Sequence, residues 1–188
     1  MTATTLTLSP TELTGTYALD PAHSRIGFSA RHAMVTKVRG AFNEFDGGAE
    51  LDFDDPTKSR AHLVIKTASV DTRNEQRDNH LRTNDFFDAP TYPTISFVST
   101  SVRRTGDETF ELVGDLTIKD VTKSVTLDLE FTGAAKDPWG NTRVGFEGGT
   151  TIQRSDYGVN FNAALETGGL LVSEKVTIEL ELAAVRQA

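Results

Sequence analysis

Residues 110–131 read FELVGDLTIKDVTKSVTLDLEF, and their alternation decides the fold. Phe110, Leu112, Gly114, Leu116 and Ile118 fall on one side of an extended chain. Val125, Leu127, Leu129 and Phe131 do the same after a polar break at Asp120 to Lys123. Successive side chains of a strand point to opposite faces, so this period of two marks a pair of strands, each with one buried face. Outward from this pair the pattern recurs in both directions. It runs through Ile26, Phe28 and Ala30, then Leu63 and Ile65, then Ile95 and Phe97. It returns in Val144, Phe146, Gly148, Thr150 and Ile152, and in Val176, Ile178, Leu180 and Leu182. Asp46-Gly47-Gly48, Thr105-Gly106-Asp107, Asp137 to Asn141 and Ser155 to Gly158 carry the residues that hairpin turns demand. About eight antiparallel strands joined mostly by short turns suit an up-and-down barrel or a two-sheet sandwich, and long, bent strands favour the barrel.

The chain has 188 residues, enough for one core, and no repeat, linker or composition shift divides it. Residues 1–14 are rich in Thr and Ser without a period and read as a mobile tail, so a single domain over 15–188 is expected. A formal charge of -8 leaves no net positive field to gather phosphates, which argues against nucleic acid as a partner. Without cysteine there is no disulfide and no thiolate chemistry. The start, MTATTLTLSPTELTG, lacks the basic and apolar regions of a secretory signal, and no segment approaches a membrane span. A cytoplasmic location is expected, although removal of a signal would leave the same residues.

Period two stops in Val70 to Arg82. Thr72 and Glu75 have the spacing of a capping box, which predicts a short helix, and Asp78 with Arg82 has the spacing of a charge pair. A helix this polar cannot dock by an apolar face of its own. Phe86 and Phe87, which follow it, are the expected anchors of a lid at one mouth of the barrel.

The inward positions are uneven in size. Phe28, Leu112, Leu129 and Phe146 share them with Ala30, Gly114, Gly148 and Thr150, so an elongated apolar space could run along the axis. An unfilled space would cost roughly 24 cal/mol per Å³, so an apolar occupant would be expected in it. The alternative is that the strand glycines only mark bends and bulges that close the barrel.

Several blocks in order resemble the YceI-like proteins, described as lipocalin-like polyisoprenoid-binding proteins. They are Tyr17 to Asp20 with His23 to Phe28 and His32; Val38 to Phe42; Ser69 to Thr72 with Arg77 to Arg82 and Asp85 to Phe87; and Pro93 to Phe97. Then come Gly114 to Ile118 with Val121 to Lys123, Asp137 to Gly140 with Arg143 to Phe146, and Arg154 to Gly158. The resemblance spans about Gly15 to Val185. It implies an antiparallel barrel with a long isoprenoid or quinone tail in its pore, frequently as a homodimer. Many relatives are secreted or periplasmic.

The candidate lipid-facing residues are Phe28, Ala30, Phe42, Ile65, Phe97 and Leu112, then Gly114, Leu116, Leu129, Phe146 and Gly148. Phe86 and Phe87 join them from the lid, and His32 could meet a quinone carbonyl. Arg77, Asp78, His80 and Arg82 are expected to tie the lid to the rim or to bind the lipid's polar head. The histidines lack ligand spacing, so no metal site is expected, and no nucleophile elbow accompanies the Asp78 and His80 pair. Trp139 is expected to pack on the barrel rim. Binding, storage or transport of a long isoprenoid lipid or quinone, without catalysis, is therefore the leading expectation. The rivals are an enzyme of isoprenoid or small-molecule metabolism on the same barrel, and a stress or interaction protein with a structural lipid.

Overall fold

In the computed structural model, which describes residues 8–188, the alternating stretches become eleven hydrogen-bonded segments. In chain order they are β1 (Gly15–Leu19), β2 (Arg25–His32), β3 (Thr36–Phe42), β4 (Phe45–Leu51), β5 (Arg60–Lys66) and β6 (Val70–Asp71). The remainder are β7 (Thr94–Arg104), β8 (Thr109–Ile118), β9 (Val121–Lys136), β10 (Thr142–Gln153) and β11 (Lys175–Arg186). Two helices accompany them, α1 (Pro10–Leu13) and α2 (Glu75–Arg82). No helix among the described residues is long and apolar enough to cross a membrane.

Every pairing is antiparallel. The ring runs β1, β4, β5, β7, β8, β9, β10, β11 and closes where Tyr17 meets Arg186 and Ala18 meets Val185. The other three segments extend it. The edge of β11 that takes β1 near its end takes β2 earlier, with Ile178 opposite Phe28, so β1 and β2 are two halves of one bent strand. The bend is the 3-10 turn Pro21–His23, capped by Asp20, whose carboxylate accepts the Ala22 N–H. In the same way β3 and β4 bend at residues 43–44, and β5 and β6 at the turn Thr67–Ser69. Counted through these bends, the protein is an eight-stranded up-and-down barrel, and full closure leaves the ring without edges.

Several turns differ from the sequence expectation. Asp46-Gly47-Gly48 lies inside β4, paired with β5, because the bend falls earlier, at Asn43-Glu44. The turn after β8 is Lys119-Asp120, so Thr122 and Lys123 already pair in β9. Ser155 to Gly158 is no hairpin. It starts with a 3-10 turn and opens a connection that reaches β11 only at Lys175.

The barrel has two unlike ends. One carries the β2–β3 turn, the α2 segment and the 154–174 connection, and is here called the lid end. The other carries α1, the 52–59 loop and the turn 137–141. Most of the core forms one cluster inside the ring, while Leu13, Tyr17 and Val144 form a second one next to α1. The expected mobile tail lies outside the described residues as far as residue 7. Beyond it, Ser9 and Glu12 form a capping box around a proline-started helix, Leu13 is buried, and the Tyr17 hydroxyl donates to the Leu13 carbonyl at 2.6 Å. The signal Ser9-Pro10-Thr11-Glu12-Leu13 is short enough to be lost in a threonine-rich stretch. Trp139, expected on the rim, is 81% exposed on its turn.

Candidate functional site

Inside the ring the inward side chains leave a partly open cavity of about 340 Å³ with an almost wholly apolar wall. Each strand contributes through its alternation. Ile26, Phe28 and Ala30 come from β2, Leu112, Leu116 and Ile118 from β8, and Val176, Ile178, Leu180 and Leu182 from β11. Short residues on the wall, among them Ala30, Ala49, Ala61 and Ala184, leave it room.

Of the residues singled out from the sequence, Phe28, Ala30, Phe42, Ile65, Phe97, Leu112, Leu116, Leu129 and Phe146 line this cavity, together with Phe86 and Phe87. Three others do not. His32 is exposed where β2 overshoots the rim, paired with Thr36 and bridged to Val172. Gly114 faces inward but lies under Phe97, whose ring carbons stand 2.3–2.6 Å from where a Cβ would be. Gly148 has φ +156°, and a Cβ there would meet the Asp128 carbonyl oxygen of β9 at 1.8 Å. It is a bend at which two backbones approach, not a source of pore volume.

The lid is built differently from its expected form. Asn74, not Thr72, caps α2 by accepting the Arg77 N–H at 2.9 Å. Thr72 is buried instead. Its N–H and hydroxyl both donate to Asp78 Oδ1, at 2.8 and 2.5 Å, and its hydroxyl accepts from Arg77 Nε at 2.7 Å. Asp78 is thus taken by Thr72 and not by Arg82, whose guanidinium donates to the carbonyls of Ala68 and Val70 and to the Asn79 side chain. Arg77, Asp78 and Arg82 tie the helix to the barrel wall, and none of them lines the cavity.

His80 does not line it either. Its Nε2 donates to Asp85 at 2.7 Å, and its ring sits edge-on between Phe86 (5.1 Å) and Phe161 (4.9 Å). Phe86 and Phe161 are themselves 5.1 Å apart, and Phe87 packs edge-on to Phe42 at 5.7 Å. This aromatic trio joins α2 to the 154–174 connection across the mouth.

That connection is the feature that sequence reasoning missed. Arg154 is buried and donates to the carbonyls of Val159, Ser173 and Val172, so one guanidinium gathers both arms of the loop. Burial pushes this guanidinium down from its ordinary value, and Glu174, 3.8 Å away, opposes the shift. Asn162 doubles the clasp by donating to the Val172 carbonyl and accepting the Val172 N–H. Arg154, Tyr157, Val159 and Val172 complete the cavity wall at the lid end. Burial raises the Tyr157 hydroxyl above its usual range, and Asp156 adds to that. The block Arg154 to Gly158 was legible as a unit, but as a hairpin it would have hidden a lipid-facing role. At the far end, Arg104 lies 5.8 Å over the Phe110 ring, both at the cavity edge. Among the described residues no three His, Asp or Glu side chains come together as a metal site.

A closed eight-stranded barrel around an elongated apolar cavity, with a helix and a loop across one mouth, defines a lipocalin-like architecture. The YceI-like domain model matches residues 17–184, and the chain belongs to that family. A UPF0312 protein of Staphylococcus aureus strain MSSA476 is 42% identical over 164 residues, covering 87% of this chain and 93% of the relative. One from Staphylococcus epidermidis strain ATCC 12228 matches to the same extent. Among solved structures, Burkholderia cenocepacia BcnA superposes with a TM-score of 0.78 at 26% identity, covering 88% of this chain and 98% of that one. A YCEI protein of Campylobacter jejuni gives 0.73 at 30%, covering 84% and 90%. A domain from Saccharophagus degradans, described as polyisoprenoid binding, gives 0.70 at 17% identity, covering 91% and 98%, a likeness of fold alone.

Proposed function

We propose that this protein binds a long apolar lipid, an isoprenoid or the tail of an isoprenoid quinone, inside the barrel and carries it without transforming it. The observation that carries this reading is the apolar cavity itself, walled by every strand of the ring and bounded at one mouth by the anchored α2 segment and 154–174 connection. A dry void of this size is costly when empty, and each methylene buried in it contributes about 0.8 kcal/mol. The solved Saccharophagus domain of the same fold, described as polyisoprenoid binding, supports the same ligand class. At the lid end the buried Tyr157 side chain lines the cavity. It gives a ligand with one polar terminus a group to meet there, and so orients its tail toward α1. The His80 imidazole, held by Asp85 and packed edge-on against Phe86 and Phe161, serves to fix the lid.

Mass spectrometry of an organic extract from gently purified protein tests the reading directly. A stoichiometric isoprenoid or comparable long-chain lipid is expected. A folded protein whose extract contains no such lipid, and which takes none up from isoprenoid-loaded vesicles, would refute it.

A further inference from the structure

The turn between β2 and β3 stands beyond the barrel rim at the lid end, and its apolar side chains point away from the protein. Met34 is 63% and Val35 74% exposed, and Leu170, on the neighbouring loop, is 47% exposed. These are three of the few large apolar residues left in water, and they are neighbours. Ala33 N–H donates to the Leu171 carbonyl at 2.7 Å, and a Cβ on Gly169 would stand 3.5 Å from Met34 Cγ. The tip is also contiguous with the mouth of the cavity, since Val172, bridged to His32, lines the wall, as does Ala30 two residues earlier on β2.

Two further observations bear on the same tip. Ala33 and Met34 both have left-handed backbone, φ 51° and 61°, in the three-residue turn 33–35 between the paired His32 and Thr36, a conformation that Gly and Asn adopt more readily. A conformation unwelcome to both side chains is retained where it thrusts Met34 outward. Behind the tip, the outer faces of β2 and β3 carry Arg31 opposite Lys37, and Arg39 opposite Ser29. All three cations are exposed, and none forms an ion pair among the described residues. The adjoining 154–174 loop carries Asp156, Glu166 and Glu174, the last of them 3.8 Å from Arg154. On a chain of formal charge -8 the three unpaired cations form a local basic cluster. Lysine on an open strand edge also discourages pairing with other chains, which explains a cation on β3 but not an apolar tip in front of it.

We infer that the β2–β3 tip is a membrane-docking surface, with Met34, Val35 and Leu170 entering an anionic bilayer and Arg31, Lys37 and Arg39 meeting its phosphate groups. Exposed apolar residues flanked by cations are the two components by which peripheral elements hold to anionic lipid. Docking in this pose sets the lid mouth against the acyl region, so lipid can pass between bilayer and barrel without crossing water. That consequence rests on the lipid-carrying function proposed above, whereas the docking is measured independently of it.

The test is flotation of the full protein with vesicles of pure phosphatidylcholine and with vesicles of equal parts phosphatidylcholine and phosphatidylglycerol. Binding to the second kind only, weakened by salt, is expected. Each basic residue near such a surface contributes about fivefold in partitioning, so Lys37→Glu with Arg39→Glu should lower it by at least about 25-fold. The protein has a single tryptophan, Trp139, on the turn at the opposite end. Its emission should not move on vesicle binding. In a Trp139→Phe background, Val35→Trp should shift to the blue as the tip leaves water, and circular dichroism checks that both variants remain folded. No flotation, flotation indifferent to the charge reversals, or a blue shift of Trp139 in place of the one at position 35 would overturn the proposal. So would light scattering showing a dimer that Met34→Asp dissociates, since the tip would then be covered by a second copy. Flotation with an empty lipid extract would leave docking standing and remove the carrier reading.

Discussion

Cutting Phe161 to alanine tests whether the aromatic trio holds the mouth shut. Phe161 belongs to the 154–174 connection and touches two rings of the α2 segment, His80 at 4.9 Å and Phe86 at 5.1 Å. An aromatic pair contributes about 0.5–1.5 kcal/mol beyond its area, so Phe161→Ala should remove about 1–3 kcal/mol from the closed state of the lid. At about 1.4 kcal/mol per tenfold change, the open population should rise by roughly fivefold to a hundredfold. The rest of the barrel does not depend on these contacts. Phe86 keeps its place in the core, and Phe87 keeps Phe42. The measurement is amide hydrogen exchange followed by mass spectrometry. Exchange should accelerate together in peptides covering residues 75–92 and 158–172, while peptides from β8 and β9 stay as slow as in wild type. If only the 158–172 peptides accelerated, the two elements would not be coupled through the rings. If the strands accelerated equally, Phe161 would support the whole barrel and not the lid alone.

Leu13→Ala should lower global stability by about 2–5 kcal/mol, read from denaturant unfolding, because the side chain is buried against Tyr17 and Val144; an unchanged midpoint would mean that α1 does not plug the far end. Gly148→Ala should destabilise strongly, since its Cβ would enter the Asp128 carbonyl, whereas Gly133→Ala, at φ +136° with nothing within 4 Å, should cost only the backbone strain; equal losses in the two variants would refute the close-approach argument. For Asp137, burial pushes the carboxyl up, but the Asn141 side chain and N–H, the Arg143 guanidinium and the Trp139 N–H outweigh it and hold the group at about 2. Its folded value lies below its unfolded value of 3.8, so its contribution is fully present above about pH 4 and is lost as pH falls through about 2. The acid limb of unfolding should therefore flatten between those values in Asp137→Asn, and an unaltered acid limb would refute the assignment.

The period of two carried most of the architecture. Phe110 to Ile118 and Val125 to Phe131 keep their faces in the barrel because one side of each strand is buried along its length, which leaves the register no freedom. Bends were harder to read. A glycine such as Gly148 satisfies a turn, a bulge or a small inward position equally well in sequence, and only the neighbouring carbonyl of Asp128 separates them. The wall of the cavity was legible wherever alternation was clean. It was illegible at the lid end, where Arg154, Val159 and Phe161 act from a loop with no period at all, and where one buried guanidinium gathers carbonyls that are distant in sequence. Thr72 shows the same limit on a smaller scale. Its spacing to Glu75 matched a capping box, but the stronger acceptor was the Asp78 carboxylate a turn further on.

The seam between Tyr17 and Arg186 joins the first strand of the barrel to its last. During synthesis β1 can find β4 early, but its other edge stays bare until β11 has left the ribosome. Until then the protein is a curled sheet with an exposed apolar concave face and two sticky margins, the kind of intermediate on which chaperones act. Ring closure over so long a separation is entropically slow, placing the last folding step in the range of milliseconds to seconds. A nascent chain of this design therefore presents its interior to whatever lipid is at hand before it has a mouth at all, and the first occupant can be enclosed rather than admitted.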